Sequence, residues 1–134
     1  PNAEYSGKIT TPREAMAYCR AEFVVLANHG VQEEVHVVSL DSKNRPIGTH
    51  RVTVGTLRNS LVHPREVFRP AIADSANSIL LVHNHPSGDC CPSDQDLEVT
   101  KRLMSSGELI GIPLVDHIVV ARGCECSIRE FYSL

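Results

Sequence analysis

Residues 79–88, ILLVHNHPSG, decide how this sequence folds and indicate where its chemistry lies. Four consecutive apolar residues are typical of a strand that is buried on both faces, and we predict a central strand over residues 78–84. Side chains alternate between the faces of a strand, so His83 and His85 share one face and their imidazoles can converge. Pro86 and Gly88 then predict a turn after the second histidine.

A short polar segment downstream, Ser93-x-x-Asp96, can bring a third group to the two histidines. Two neutral imidazoles and one carboxylate are typical of a catalytic zinc that keeps its fourth position for water. The same segment also fits a helix N-cap followed by an acid at the third position, which is a common structural device. Each part of the pattern therefore has an ordinary structural interpretation, whereas the order and spacing of the whole favour a metal site.

The complete pattern is H-x-H-P-x-G, with seven residues between His85 and Ser93, followed by Asp96. It resembles the signature of the JAMM (JAB1/MPN-type) metalloprotease family. The segments VGTLRNSLVHPREVF, ILLVHNHPSGDCCPSDQDLEVT and VDHIVV look closest to the RadC-like bacterial branch. The resemblance extends from about residue 9 to residue 128. It implies a JAB/MPN (cytidine-deaminase-like) architecture.

The resemblance also implies a role for each residue of the pattern. His83, His85 and Asp96 would bind Zn²⁺, and Ser93 would orient the bound water or the developing oxyanion. A glutamate on an early strand would act as general base and pass the proton to the leaving amine. Such a site hydrolyses a peptide or isopeptide bond.

Two neighbouring glutamates, Glu33 and Glu34, are candidates for the general base. Glu33 shares a strand face with Val35 and Val37, and its distance from the strand end matches the RadC-like pattern. Glu34 faces the other way because the strand period is two. We predict that Glu33 is the catalytic residue, with a solvated strand entry as the structural alternative.

The remaining pattern predicts a single α/β domain with a mixed β-sheet flanked by helices. Gly30 and Gly107 are predicted to end the first and third helices. Residues 1–8 are expected to be an N-terminal tail or remnant, and residues 9–134 the JAMM/MPN-like catalytic domain. The predicted helices cover residues 12–28, 64–76 and 93–106, and the predicted strands cover residues 35–41, 47–54, 78–84, 115–121 and 124–128.

The other histidines fall into three groups. His117 follows Asp116 at a strand start and is predicted to be a structural hydrogen-bonding residue rather than a fourth ligand. His63 is at the start of a predicted helix. Its segment could serve either as a capped helix start or as a wall of the substrate groove, and the sequence favours neither. Three more histidines have no partner pattern and are predicted to lie on the surface: His29, His36 and His50.

The five cysteines form neither a disulfide framework nor a C-x-x-C zinc motif, which favours a reducing cytoplasm. Cys90 and Cys91 lie in the loop beside the predicted metal. Soft-ligand roles for them are the less favoured interpretation, because the two histidines and Asp96 already complete a site.

The composition limits the classes of function. The chain has 134 residues and a net charge of −3, so we expect little DNA binding, which normally needs a basic surface. No apolar stretch is long enough to cross a bilayer, and no signal peptide is evident. The chain starts at Pro1 without methionine, which suggests a fragment or a processed form.

The JAMM resemblance implies a cytoplasmic zinc hydrolase whose partner is a protein or peptide substrate. Two other classes of function stay open. One is a DNA-repair accessory module, which is the historical label of the RadC-like branch. The other is a catalytically silent scaffold, although a scaffold has no physical need for an open metal position.

Overall fold

The computed structural model describes residues 7–55 and 62–134, which form a small α/β domain. The helices are α1 (Pro12–Glu22), α2 (Val24–His29), α3 (Pro64–Ala73), α4 (Asp94–Ile110) and α5 (Ile128–Phe131). The strands are β1 (Glu34–Leu40), β2 (Pro46–Val54), β3 (Ser78–Asn84), β4 (Leu114–Ala121) and β5 (Cys124–Ser127). This confirms the predicted fold class.

The strands form one mixed sheet in the order β2-β1-β3-β4-β5. The pair β3–β4 is parallel, and α4 connects its two strands; the other three neighbouring pairs are antiparallel. All seven residues of β3 are buried, as its apolar sequence predicts for a central strand. The metal-site pattern therefore begins in the middle of the sheet, at the carboxyl end of β3.

The two faces of the sheet are covered by different helices. Leu81 and its neighbours pack against Phe68 of α3 and Leu103 of α4. Val82 and its neighbours pack on the opposite face against Tyr18 and Cys19 of α1. Burial of apolar side chains on both faces is the main stabilising contribution in such a layered domain. His83 has the same strand parity as Leu81, so it points toward α4.

The first predicted helix is interrupted, and the prediction of one helix over residues 12–28 is wrong. Phe23 leaves the helical conformation with φ −113° and ψ 24°, and a second short helix starts at Val24. The Phe23 ring is buried against Tyr18 and His36, at centroid distances of 6.4 and 5.4 Å. Tertiary packing of one aromatic ring thus overrides the local helix pattern. Gly30 ends α2 as predicted.

The third predicted helix is longer than expected, because Gly111 rather than Gly107 ends it. Gly111 has the left-handed conformation of a helix C-cap, with φ 89°. Gly107 lies inside α4, where an added Cβ would be 2.6 Å from the carbonyl oxygen of Ile112. It is needed for close packing of the following loop and not for ending the helix.

The other differences are at element ends. Helix α3 stops at Ala73 instead of Ala76, and Ser75 follows it in a left-handed conformation with φ 56°. A helix that was not predicted, α5, follows β5, and the Ser127 hydroxyl caps it by accepting from the Glu130 amide. In the two described ranges, no helix has both the length and the apolar character that a membrane span requires.

Candidate metal centre

The two histidines of the H-x-H pattern converge at the end of β3. The His83 ring is fully buried, whereas the His85 side chain is 14% exposed. The two rings are 4.8 Å apart between centroids and meet at 67°. The alternation of β3 continues one residue beyond its end, where the His85 amide still donates to the Val120 carbonyl, and it brings both imidazoles to the same face. One of them is buried and the other is reachable by solvent.

A tight turn and a helix cap return the chain to this point. The carbonyl of His85 accepts the amide of Gly88 at 3.1 Å, and Gly88 has φ 93°. Helix α4 then begins with a capping box: the Ser93 hydroxyl accepts the Asp96 amide at 3.1 Å, and the Ser93 amide donates to Asp96 Oδ2 at 2.7 Å. The cap itself orients the Asp96 carboxylate. The segment Ser93-x-x-Asp96 is therefore a helix N-cap and also brings a candidate metal ligand to the two histidines.

The Asp96 carboxylate lies between the two imidazoles. Its Oδ1 is 3.1 Å from Nε2 of His83, and its Oδ2 is 3.1 Å from Nε2 of His85. Only 1% of Asp96 is exposed. A buried carboxylate in this position needs compensating positive charge, which can be supplied by protons on the histidines or by a cation.

A hydrogen-bond relay sets the tautomer of His83. The Thr100 hydroxyl donates to the carbonyl of Asp96 at 2.7 Å, so its oxygen accepts Nδ1–H of His117, also at 2.7 Å. Nε2 of His117 then accepts Nδ1–H of His83 at 2.8 Å. Nε2 of neutral His83 is left with a lone pair that points toward Asp96.

The same relation holds for His85. Its Nδ1 lies 2.8 Å from the carbonyl of Asp89, which can only accept, so Nε2 of the neutral ring carries the lone pair. Although Nε2 of His83 lies 3.1 Å from Asp96 Oδ1, it is a buried nitrogen without a hydrogen-bond partner among the described residues. Two lone pairs and a carboxylate that face one point fit a divalent metal such as Zn²⁺.

The shifts in pKa at this site are those expected for a buried carboxylate that lies between two imidazoles. Burial alone would raise the pKa of Asp96, but the close approach of the His83 and His85 rings outweighs it and holds that pKa well below its usual range. Burial opposes charge on His85, yet Asp96 and the Asp89 carbonyl raise its pKa overall. Burial, together with the charge of His83, holds the pKa of His117 well below its usual value. His117 is thus a neutral relay residue.

Glu33 lies beside this pair of histidines, and Glu34 does not. A carboxylate oxygen of Glu33 and one ring nitrogen each from His83 and His85 all lie within 4.8 Å of one another. The carboxylate of Glu34 lies instead 3.0 Å from Nε2 of His36. The strand register therefore brings Glu33 to the site, and its role as the base stays a prediction. Its position is also compatible with direct metal binding.

Several residues outside the pattern have partners that the sequence did not reveal. His117 is structural, as predicted, but its contact with His83 was missed, and so was Thr100. His29 is exposed, as predicted. His50 also lies at the surface, with 37% of its side chain exposed, although its Nε2 is 2.6 Å from Asp74 Oδ2. The surface prediction is wrong for His36, whose side chain is only 16% exposed and contacts Glu34.

Three other predictions have mixed outcomes. His63 precedes α3 but makes no side-chain cap bond, and residues 56–61 of its segment lie outside the described residues. All five cysteines are free, and neither Cys90 nor Cys91 belongs to a ligand group within the described part of the chain. The soft-ligand role therefore gains no support.

Zinc should stabilise this protein more strongly at pH 8 than at pH 6. The raised pKa of His85 means that its protonation stabilises the metal-free protein fully below about pH 6.5, and that this contribution is lost as pH rises through the folded value. Zinc needs the deprotonated ring, so its stabilisation grows over the same range. Free zinc at a hundred times its Kd would add about 2.7 kcal/mol.

Thermal unfolding with and without zinc at both pH values measures this linkage. A zinc-induced shift in Tm that is larger at pH 6 than at pH 8 would contradict the assignment of His85.

The relay through His117 should affect zinc affinity without touching the metal. His117→Phe keeps a ring of similar size but removes the acceptor for Nδ1–H of His83. We expect a loss of roughly ten- to a hundredfold in affinity, which is typical of partners that orient a metal ligand. Competition with a chromophoric chelator measures the zinc affinity. Thr100→Val should cause a smaller loss of affinity than His117→Phe. Unchanged affinity in a folded H117F protein would exclude the relay.

Comparison with known proteins agrees with the geometry. A family model described as the RadC-like JAB domain matches residues 9–133. A UPF0758 protein of Caldanaerobacter subterraneus subsp. tengcongensis is 43% identical over 122 residues, which are 91% of this chain and 51% of the relative. A UPF0758 protein of Symbiobacterium thermophilum is 50% identical over 114 residues, 83% of this chain and 49% of the relative.

A third UPF0758 relative, from Thermotoga maritima, is 45% identical over 123 residues, 92% of this chain and 53% of the relative. The chain spans about half the length of these curated relatives. The family match covers both the H-x-H strand and the helix that carries Asp96. This chain belongs to the RadC-like JAB domain family.

Proposed function

We propose that this domain is a zinc-dependent hydrolase that cleaves a peptide or isopeptide bond. The observation that carries the proposal is the convergence of two histidine lone pairs on one buried carboxylate, with Glu33 beside them. A site of purely structural zinc is normally closed by four protein ligands. Two imidazoles and one carboxylate leave a position for water, and a neighbouring acid is what hydrolysis requires in addition.

Each residue has a definite task in this mechanism. His83, His85 and Asp96 would hold the zinc, and their orientation is set by the relay and by the helix cap. Bound zinc would activate a water molecule and polarise the substrate carbonyl. Glu33 would accept the proton of the attacking water and deliver it to the leaving amine nitrogen.

Ser93 is placed to assist from the rim of the site. Its oxygen accepts the Asp96 amide, so the hydroxyl hydrogen stays free to donate outward, and the residue is exposed. A hydrogen bond from this hydroxyl to the oxygen that gains charge would stabilise the transition state. This supports the role that the JAMM resemblance implies for Ser93.

The test is cleavage of a complex peptide mixture that includes peptides branched at lysine Nε. Zinc-loaded and chelator-treated protein are compared by mass spectrometry, which identifies new termini and released branches. We expect cleavage only with zinc, and its loss in H85A. A zinc-loaded, folded protein that cleaves none of the peptides, but binds duplex DNA below micromolar concentrations in high salt, would favour the DNA-repair accessory function instead.

A further inference from the structure

Asn84, the residue between the two histidines, has a side chain on the opposite face of β3. It is only 1% exposed, and both ends of its amide are bonded. Its Oδ1 accepts the amide of Glu34 at 2.7 Å, and its Nδ2 donates to the carbonyl of Gln32 at 3.0 Å. The two partners are the residues directly before and after Glu33.

This arrangement extends the sheet beyond its last backbone pair. The pairing of β1 with β3 ends at Val35 and His83. One position farther along, the Asn84 side chain offers one acceptor and one donor to the neighbouring chain, as a strand backbone would. The amide therefore takes the place of a strand residue opposite Glu33.

The segment before β1 has few other attachments. Val31 is 90% exposed, and Gln32 is also exposed. The carbonyl of Glu33 accepts the amide of Gly55 at 2.8 Å. Without Asn84, the described contacts would hold Glu33 from the β2 side only, and the direction of its side chain would be less restricted.

Gly30 provides the space that this clamp requires. An added Cβ at Gly30 would lie 2.5 Å from Nδ2 of Asn84 and 2.6 Å from the carbonyl oxygen of Leu26. Gly30 has φ −66° and ψ 124°, a conformation that any residue adopts, so glycine is needed here for space alone. The end of α2 and the end of β3 thus enclose the amide that holds the Glu33 segment.

We propose that Asn84 is a positioning residue, which holds Glu33 within reach of His83 and His85 by clamping the backbone on both sides of it. The inference rests on the proposed function, in which Glu33 is the general base. One dipeptide of β3 then serves two faces: His83 supplies a metal ligand on one, and Asn84 aligns the base from the other.

A double-mutant cycle tests whether Asn84 acts through Glu33. Asn84→Ala should lower the turnover of a cleaved peptide by about ten- to a hundredfold, the effect of misplacing a catalytic group by about an ångström, with zinc content unchanged. In a Glu33→Gln background it should cause almost no further loss. Losses that multiply in the double variant would overturn the proposal, because Asn84 would then act independently of Glu33.

Two measurements need no substrate. In Asn84→Ala, hydrogen exchange at the Glu34 amide should accelerate while the Val37 amide stays protected. The carboxyl carbon resonance of Glu33 should respond to zinc in the wild-type protein and respond less in the variant. An unchanged Glu34 exchange rate together with an unchanged Glu33 response would overturn the clamp, even if no cleaved peptide were found.

Milder variants guard against a failure to fold. Asn84→Asp keeps the acceptor for Glu34 but loses the donor to Gln32, so we expect an intermediate effect. Gly30→Ala presses on the same amide from α2 and should reproduce the loss. Asn77→Ala is the matched control, because Asn77 is exposed at the other end of β3. If Glu33→Gln itself leaves turnover unchanged, Glu33 is not the general base; if zinc-loaded wild-type protein cleaves no peptide, the proposed function fails. In either case the exchange and resonance measurements still decide the clamp.

Discussion

Glu33→Gln is expected to reduce hydrolysis on the order of a hundred- to ten-thousandfold while the fold and the zinc content stay unchanged. Glutamine has nearly the same size and shape as glutamate, but its amide cannot accept a proton from the attacking water. Because Glu33 lies beside His83 and His85, the substitution would remove a proton acceptor next to the proposed zinc site. Turnover of a cleaved peptide and elemental analysis of the same sample measure both parts of the prediction.

Glu34→Gln is the matched control, because it makes the same change one residue farther along the chain. The Glu34 carboxylate contacts His36, away from the metal centre, so turnover should be close to that of the wild type. The control also separates two roles of Glu33. If Glu33→Gln loses zinc together with activity, Glu33 is a metal ligand and the general-base assignment is wrong.

The site was predictable from sequence to the extent that its geometry is local. A period of two aligns His83 and His85 on any strand, and the N-cap places Asp96 in the first turn of α4. The same period separates Glu33 from Glu34. These relations depend on residues close to one another in sequence, which is why a short pattern contains them.

The parts that were missed depend on contacts between distant elements. The relay joins His83 of β3, His117 of β4 and Thr100 of α4, and its existence requires the parallel pairing of β3 with β4. The Asn84 clamp likewise requires β1 and β3 to be neighbours in the sheet. A sequence pattern shows which side chains can form hydrogen bonds, whereas the topology decides which of them meet.

The element ends show the same limit. Two glycines, Gly107 and Gly111, lie four residues apart near the end of α4, and either could end a helix by its backbone freedom. Only the packing of the following loop shows that Gly107 is needed inside the helix, since a Cβ there would meet the carbonyl oxygen of Ile112 at 2.6 Å. The break at Phe23 has a similar origin, because the ring packs against His36 of another element.

The second large effect is expected for His85→Ala, which should abolish stoichiometric zinc binding. Wild-type protein should carry about one zinc per chain, because one set of three ligands defines one site. Removing His85 leaves only His83 and Asp96 of that set, and it also opens the part of the site that is nearest to solvent. His50→Ala is a suitable control, since that ring lies on β2 and contacts Asp74.

Native mass spectrometry after dialysis against metal-free buffer gives the stoichiometry directly. Full occupancy in H85A would refute the ligand assignment.

The metal-free protein should also respond to this substitution in a way that zinc loss alone does not explain. In the absence of metal, the charge of Asp96 is balanced by the protonated His85 ring, and the pKa of His85 is raised for that reason. H85A removes the balancing proton, so the metal-free variant should be less stable than the metal-free wild type at pH 6. This difference should shrink as the wild-type ring loses its proton at higher pH.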